Sequence, residues 1–162
     1  MRWHDGAVSD AVSIKERLQA DLTSAMKARD DVATATIRMI RSAITTAEVA
    51  GDEAVELSDD DVIGVLRSEA KKRKEAAEVY AANGRDAAAA TELAELAVVE
   101  RYLPAAMGDE ELIAIVDDEV AAARDSGAEG GKAMGVVVKA VRTSVGAAAD
   151  GARIAALVKQ RL

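Results

Sequence analysis

The sequence predicts an all-α protein, with an N-terminal four-helix region followed by a small three-helix C-terminal domain. Alanine, the residue with the highest helix propensity, supplies 37 of the 162 positions. The chain holds a single proline, Pro104, so little in it interrupts a helical backbone. No stretch alternates apolar and polar residues between turn residues, and no strand is therefore predicted.

Composition and charge exclude several classes of protein. Half of the residues are hydrophobic, which is enough to bury a core. The absence of cysteine excludes disulfides, a thiolate nucleophile and a thiolate zinc site, and it agrees with a reducing compartment. No run of about 18 apolar residues is present, and the first residues lack the apolar segment of a secretory signal. We expect a cytoplasmic protein with no role at a membrane.

The first two helices carry clear start signals. Ser13 and Glu16 form the Ser-x-x-Glu pattern of a capping box, so the first helix begins there and residues 1–12 are expected to be a disordered extension. Its core positions follow at four-residue intervals: Ile14, Leu18, Leu22 and Met26. The second helix is capped by Asp30 or Asp31 and ends at Gly51. Its inner face is predicted to be Ile37, Ile40, Ile44 and Ala47.

The third helix is predicted to begin at Ser58 and to stop at Asn83-Gly84. Three aspartates, residues 59–61, follow the cap, where the helix dipole favours negative charge. A cation site is the alternative, but the glycine and the distal glutamate of a calcium loop are missing. No metal site is predicted.

Arg73 interrupts the apolar stripe of this third helix and should point inward. Glu69 lies four residues earlier, in the favourable order for a helical ion pair. A semi-buried pair that holds helices in register is the simpler interpretation, and a phosphate or partner site is the alternative.

The fourth helix starts at Arg85 or Asp86, with apolar positions at Leu93, Leu96, Ala97 and Val99. It ends before Pro104, which forces its predecessor out of helical geometry. We therefore predict an N-terminal helical domain over residues 13–104 and a C-terminal domain over residues 105–162.

Three helices follow the proline. The fifth opens at Gly108 with Leu112, Ile115, Val116 and Val120 inside, and it stops at Ser126-Gly127. The sixth begins near Lys132, with an inner face of Met134, Val138, Val141 and Val145. The seventh follows Asp150 as N-cap, with Ile154, Leu157 and Val158 apolar.

Charge changes sign along the C-terminal domain. The formal net charge of the chain is −8, yet residues 128–162 carry six basic and two acidic side chains. Overall acidity argues against general nucleic-acid binding, and no DNA partner is expected, but a local basic surface can contact a few phosphates. The candidates for phosphate contact are Lys132, Lys139, Arg142, Arg153, Lys159 and Arg161. The alternative is that cations gather near helix C-termini because the dipole favours them there.

No catalytic site is predicted. His4 is the one histidine, which leaves a Ser-His-Asp arrangement and a multi-histidine metal site unsupported. Gly130-Gly131-Lys132 lacks the upstream glycine and the preceding strand of a phosphate-binding loop, and a helix-entry turn explains it better. No cofactor is expected.

Several stretches in order together resemble the YqeY family. They are Ser13–Leu18, Thr36–Ile40, Arg67–Arg85 with its run of basic residues, Glu100–Pro104 and Gly135–Gly151. The resemblance covers about residues 13–162. Members of that family are small, all-helical and two-part, and their C-terminal part is similar to the tail domain of the B subunit (GatB) of the glutamine-dependent aspartyl/glutamyl-tRNA amidotransferase.

The resemblance implies a GatB/YqeY-type protein and, by inheritance of the label, a carbon–nitrogen ligase with glutamine as amido-N-donor. The catalytic bodies of that enzyme have no counterpart here, so a non-catalytic module that binds tRNA or an aminoacyl-tRNA/amidotransferase complex is expected. Gly135, Gly146, Asp150 and Gly151 are the expected turn and cap residues. The family's arginine before Asp150-Gly151 is absent, so phosphate contacts must come from Lys132, Lys139, Arg142 and Arg153.

Two other functions stay open from the sequence. The first is a protein-interaction adaptor without an RNA role, which an exposed apolar patch near Tyr80, Tyr102 and Leu103 would favour. The second is an accessory enzyme in amide transfer.

Overall fold

The computed structural model describes residues 12–162, and within that range it contains seven α-helices, one 3₁₀ helix and no strand. The predicted all-α fold, four helices followed by three, is confirmed. Tertiary contacts divide the chain into two compact units, and the division falls between Leu103 and Pro104 in the sequence. The disordered extension predicted for residues 1–12 lies outside the described residues except for Val12, and His4 lies outside them too.

The N-terminal unit contains four helices: α1 (Ile14–Ala28), α2 (Asp31–Glu48), α3 (Asp59–Ala82) and α4 (Asp86–Glu100). Its core draws on all four. The largest fully buried side chains in this unit are Leu18, Ile37, Ile40, Leu66, Val62 and Val99.

Local capping fixes where the first three helices begin. The Ser13 hydroxyl accepts from Glu16 N, and the Glu16 carboxylate accepts from Ser13 N, which confirms the capping box. Asp30, not Asp31, is the N-cap of α2, and Ser58 caps α3. The second helix ends at Glu48, three residues before the predicted stop at Gly51.

Three predicted core positions of this unit are wrong. Met26 is 52% exposed, and Ala25 is buried in its place. A step of four residues advances 400° around a helix, so three such steps carry Met26 about 120° away from Ile14. In α4, Leu93 and Ala97 are exposed and the buried residues are Ala89, Val98 and Val99. This helix is apolar on almost every side, so its sequence does not identify the buried face.

The C-terminal unit contains three α-helices: α5 (Asp109–Asp125), α6 (Gly130–Val145) and α7 (Gly151–Arg161). A 3₁₀ helix, Gly146–Ala148, connects the last two. The core of this unit is separate from that of the N-terminal unit. Its largest fully buried side chains are Leu112, Ile154, Val116, Val137, Val141 and Val158.

The buried face of α6 is rotated around the helix axis by about 45° from the predicted face. Ala133 and Val137 are fully buried, whereas Met134 and Val138 are partly buried at the edge of the core. Three valines in a row occupy residues 136–138, and hydrophobicity alone does not choose among them. Lys132 and Lys139 lie on the face of α6 opposite the core, and both are exposed.

Candidate nucleic-acid interface

The predicted phosphate-contact residues divide equally between the last two helices. Lys132, Lys139 and Arg142 lie on α6, and the remaining three lie on α7. Lys132 and Lys139 are seven residues apart, so they are about 10 Å apart along the axis and on the same side of the helix. Arg142 is one turn beyond Lys139. All three side chains are exposed.

Arg153 and Arg161 are engaged within the unit. Arg153 pairs with Asp109, and its Nη1 also donates to the Met107 carbonyl oxygen at 3.1 Å. Arg161 pairs with Asp117. These contacts fasten α7 to α5, and they leave both guanidinium groups partly neutralised. A phosphate would have to compete with a carboxylate at either position.

The other four candidates are different. Lys132, Lys139, Arg142 and Lys159 are exposed, and none forms an ion pair with a residue in the described range 12–162. Neither α6 nor α7 contains an aspartate or glutamate. The face of α6 that carries Lys132, Lys139 and Arg142, called here the α6 cationic face, therefore has no carboxylate from its own helix.

Arg142 lies against the beginning of α7. A Cβ atom added to Gly151 would collide with the Arg142 guanidinium group, so glycine at 151 leaves the space that this group occupies. The turn before α7, which has no arginine of its own, thus has a guanidinium group beside it, supplied from α6. The sequence pattern missed this placement because the two residues are nine positions apart, on different helices.

The predicted cap residues are correct at three of four positions. Asp150 caps α7, with its Oδ1 accepting from Ala152 N at 3.0 Å, and Gly151 is the first residue of that helix. Gly146 caps the C-terminus of α6 with φ 51°, a value that favours glycine. Gly135 is wrong as a turn residue, because it lies in the interior of α6 on its exposed side.

Arg73 forms a buried ionic cluster in the N-terminal unit. It is 4% exposed, and its Nη1 lies 2.8 Å from Glu69 Oε2 while its Nε lies 3.3 Å from Glu95 Oε2. Burial acts to raise the pKa of Glu69, but hydrogen bonds from Arg73 and Lys72 outweigh it and the pKa falls below its ordinary value. The sequence did not predict Glu95 as a partner of Arg73, because its pattern does not identify the buried face of α4. The cluster joins α3 to α4 and has the form of a structural ion pair.

The adaptor hypothesis expected an apolar patch that the structure does not form at that place. Tyr102 is 4% exposed, and its hydroxyl donates to Asp21 Oδ2 at 2.5 Å. Burial, followed by this hydrogen bond, raises the pKa of Tyr102 well above its ordinary value. Tyr80 is half-buried, with the Arg85 guanidinium 4.8 Å above its ring.

One surface groove of the N-terminal unit is lined by both charged and apolar side chains. A groove of about 340 Å³ between α1 and α2 contains Lys15 and Glu48, whose Nζ and Oε1 atoms are 2.6 Å apart. That hydrogen bond is the main reason why the pKa of Lys15 is raised and that of Glu48 lowered.

In residues 12–162 no group of three His, Cys, Asp or Glu side chains is placed to hold a metal ion. None of the helices in that range has the length and apolar character needed to cross a bilayer.

The family model described as "Yqey-like protein" matches residues 15–162, nearly the whole chain. No curated protein matches the sequence.

Proposed function

Because the chain belongs to the family of Yqey-like proteins, we propose that it is a non-catalytic tRNA-binding module whose C-terminal unit contacts RNA phosphates. The α6 cationic face supports this proposal most directly. Three exposed cations share one side of a helix that has no carboxylate, in a chain whose net charge is −8. Such a surface attracts a polyanion locally while the acidic remainder of the chain repels it elsewhere.

The resemblance of the C-terminal part to the GatB tail domain supports tRNA, or a complex of tRNA with its amidotransferase, as the partner. On this proposal the amide-transfer chemistry with glutamine as donor belongs to the enzyme that is assisted. The module contributes binding, through Lys132, Lys139 and Arg142, with Lys159 as a further phosphate contact. Arg153 and Arg161 act mainly as the structural links between α7 and α5.

The C-terminal unit lacks the side chains that stack on unpaired bases. The sequence from Pro104 to Leu162 contains no aromatic residue, so stacking on unpaired bases is not available to this unit. Recognition then depends on backbone and shape, which favours a folded RNA over a flexible single strand.

A titration of fluorescently labelled tRNA with the full chain tests the proposal. The double variant Lys139→Glu/Arg142→Glu should abolish most of the binding. Three phosphate contacts predict that the logarithm of the binding constant falls with the logarithm of salt concentration with a slope of about −2 to −3, and the variant should flatten this slope.

The control has the same change in charge at another place. Lys71 and Lys74 are exposed on α3, so Lys71→Glu/Lys74→Glu alters the net charge equally without touching the α6 cationic face. Binding that survives in the α6 variant, or that falls equally in both variants, would contradict a tRNA surface on α6.

A further inference from the structure

Gly135 is a glycine for which the fold of the unit gives no reason. It lies in the interior of the 16-residue helix α6, exposed, and its φ is not positive. A Cβ atom added there would meet nothing within 4 Å. Glycine destabilises an exposed helix interior relative to alanine. Neither a turn nor close packing inside the unit therefore accounts for it.

The neighbours of Gly135 on the helix surface are the cations already described. Lys132 is one turn before it, Lys139 one turn after it and Arg142 two turns after it. All three are exposed. The missing side chain leaves a notch between long cationic side chains, where the helix backbone itself is accessible. Glycine is the residue that allows a ligand to approach a backbone this closely.

We propose that the Gly135 notch receives the sugar–phosphate backbone of a double-helical RNA segment, with Lys132, Lys139 and Arg142 paired to phosphates around it. This inference rests on the proposed function and specifies its substrate class. The minor groove of an RNA helix is wide and shallow and displays ribose hydroxyls, so a smooth helix face can lie against it. A unit without aromatic side chains has no platform for the bases of a single strand.

The proposal predicts that a stabilising substitution weakens binding. Gly135→Ala adds one methyl group in the notch and should raise the melting temperature by about 2–8 °C, because alanine favours the helix. The same methyl group holds the RNA backbone away from the cations. The affinity should fall about tenfold, the effect of losing one charge-assisted hydrogen bond.

The probe is a labelled RNA hairpin with a stem of about 16 base pairs, the length that a shape-reading domain spans. It is titrated with the full chain, beside an unpaired RNA of equal length. The matched control is Gly64→Ala in α3, which is also exposed, also helical and also without an atom within 4 Å of the added Cβ. This control should gain stability because alanine favours the helix. It should keep its affinity for the hairpin because its neighbours one turn earlier, Asp60 and Asp61, are acidic.

The outcomes separate this inference from the proposed function. Weaker hairpin binding by Gly135→Ala, with a raised melting temperature and a neutral Gly64→Ala, supports the notch. If Gly135→Ala binds like the wild type while Lys139→Glu/Arg142→Glu does not bind, the notch is overturned and the tRNA surface stands. Tighter binding to the unpaired RNA overturns the substrate class. Absence of hairpin and tRNA binding by the wild type overturns both proposals.

Discussion

Arg73 is buried, and its charge is balanced by neighbours from two helices. Glu69 and Glu95 each form an ion pair with Arg73, and Lys72 Nζ lies 3.0 Å from Glu69 Oε1. The formal charges of these four side chains therefore sum to zero. The spacing of Glu69 and Arg73 predicted this pair from sequence, because a helix places positions i and i+4 side by side. Glu95 came from a helix whose orientation the sequence left open.

Substitution of Arg73 should destabilise the N-terminal unit. Arg73→Met leaves Glu95 without a cation and Glu69 with Lys72 alone, although both carboxylates are partly exposed and regain some solvent, so we expect a loss of about 2–4 kcal/mol in the free energy of unfolding. Urea denaturation followed by circular dichroism measures it. The triple variant Glu69→Gln/Arg73→Met/Glu95→Gln should recover part of the loss, since the one charge left in the cluster, Lys72, is exposed to solvent. A loss below about 0.5 kcal/mol would mean that the cluster behaves as a surface pair.

Glu69 also predicts a loss of stability in acid. Its pKa in the folded chain is below the ordinary value of 4.5, so the unfolded chain takes up this proton at a higher pH than the folded chain does. The stabilisation is complete above about pH 5.5 and declines as the pH falls through the two pKa values. Urea unfolding between pH 6 and pH 4 should show this decline, and Glu69→Gln should show a shallower one. Equal slopes for the two proteins would exclude Glu69 as the source. Glu48, whose pKa Lys15 lowers, contributes in the same direction.

At the scale of the helices, the sequence predicted ends better than faces. Helix starts depend on one or two residues and their local hydrogen bonds, and Ser13, Asp30, Ser58 and Asp150 all cap the helices that follow them. Faces depend on what packs opposite. Where alanines and valines surround a helix, as in α4 and α6, the partner helices decide which of them is buried, and a single sequence does not contain that information.

The contact between α6 and α7 predicts an effect on binding without a large effect on folding. In Gly151→Ala the new Cβ meets the Arg142 guanidinium, which is the end of a flexible side chain and can move aside. We expect a melting temperature within a few degrees of the wild type, while the tRNA salt slope decreases by about 1 because one phosphate contact is lost. The affinity should match that of Arg142→Ala. An unchanged slope would show that Arg142 contacts RNA from another position or not at all.

At the scale of the whole molecule, two separate cores predict two unfolding units. The C-terminal unit has only 59 residues, and a unit of that size has little stability to spare. Leu112→Ala removes a fully buried side chain at a loss of about 2–5 kcal/mol, so it should unfold this unit while α1 to α4 keep their structure. Two-dimensional NMR spectra would show folded resonances from the N-terminal unit alone. Loss of dispersion throughout the chain would indicate a single cooperative unit.

The candidate site could be predicted from the sequence in charge but not in geometry. The sign change along residues 128–162 predicted that the exposed cations lie on the last two helices, where the structure places them. It did not reveal that Asp109 and Asp117 engage two of the six cations, because those pairs join residues 44 positions apart. The family resemblance assigned Gly135 to a turn or cap, whereas Gly135 lies at an exposed position inside α6.

The glycine content of α6 has a consequence for local opening. Gly130, Gly131 and Gly135 fall within its first six residues, and its N-cap, Glu129, makes no side-chain hydrogen bond. The first two turns should therefore unwind transiently far more often than the stretch from Val137 to Val145, which packs into the core. Amide hydrogens at the start of α6 will exchange rapidly with deuterated water, and a ligand on the exposed face would slow that exchange where the backbone is most accessible.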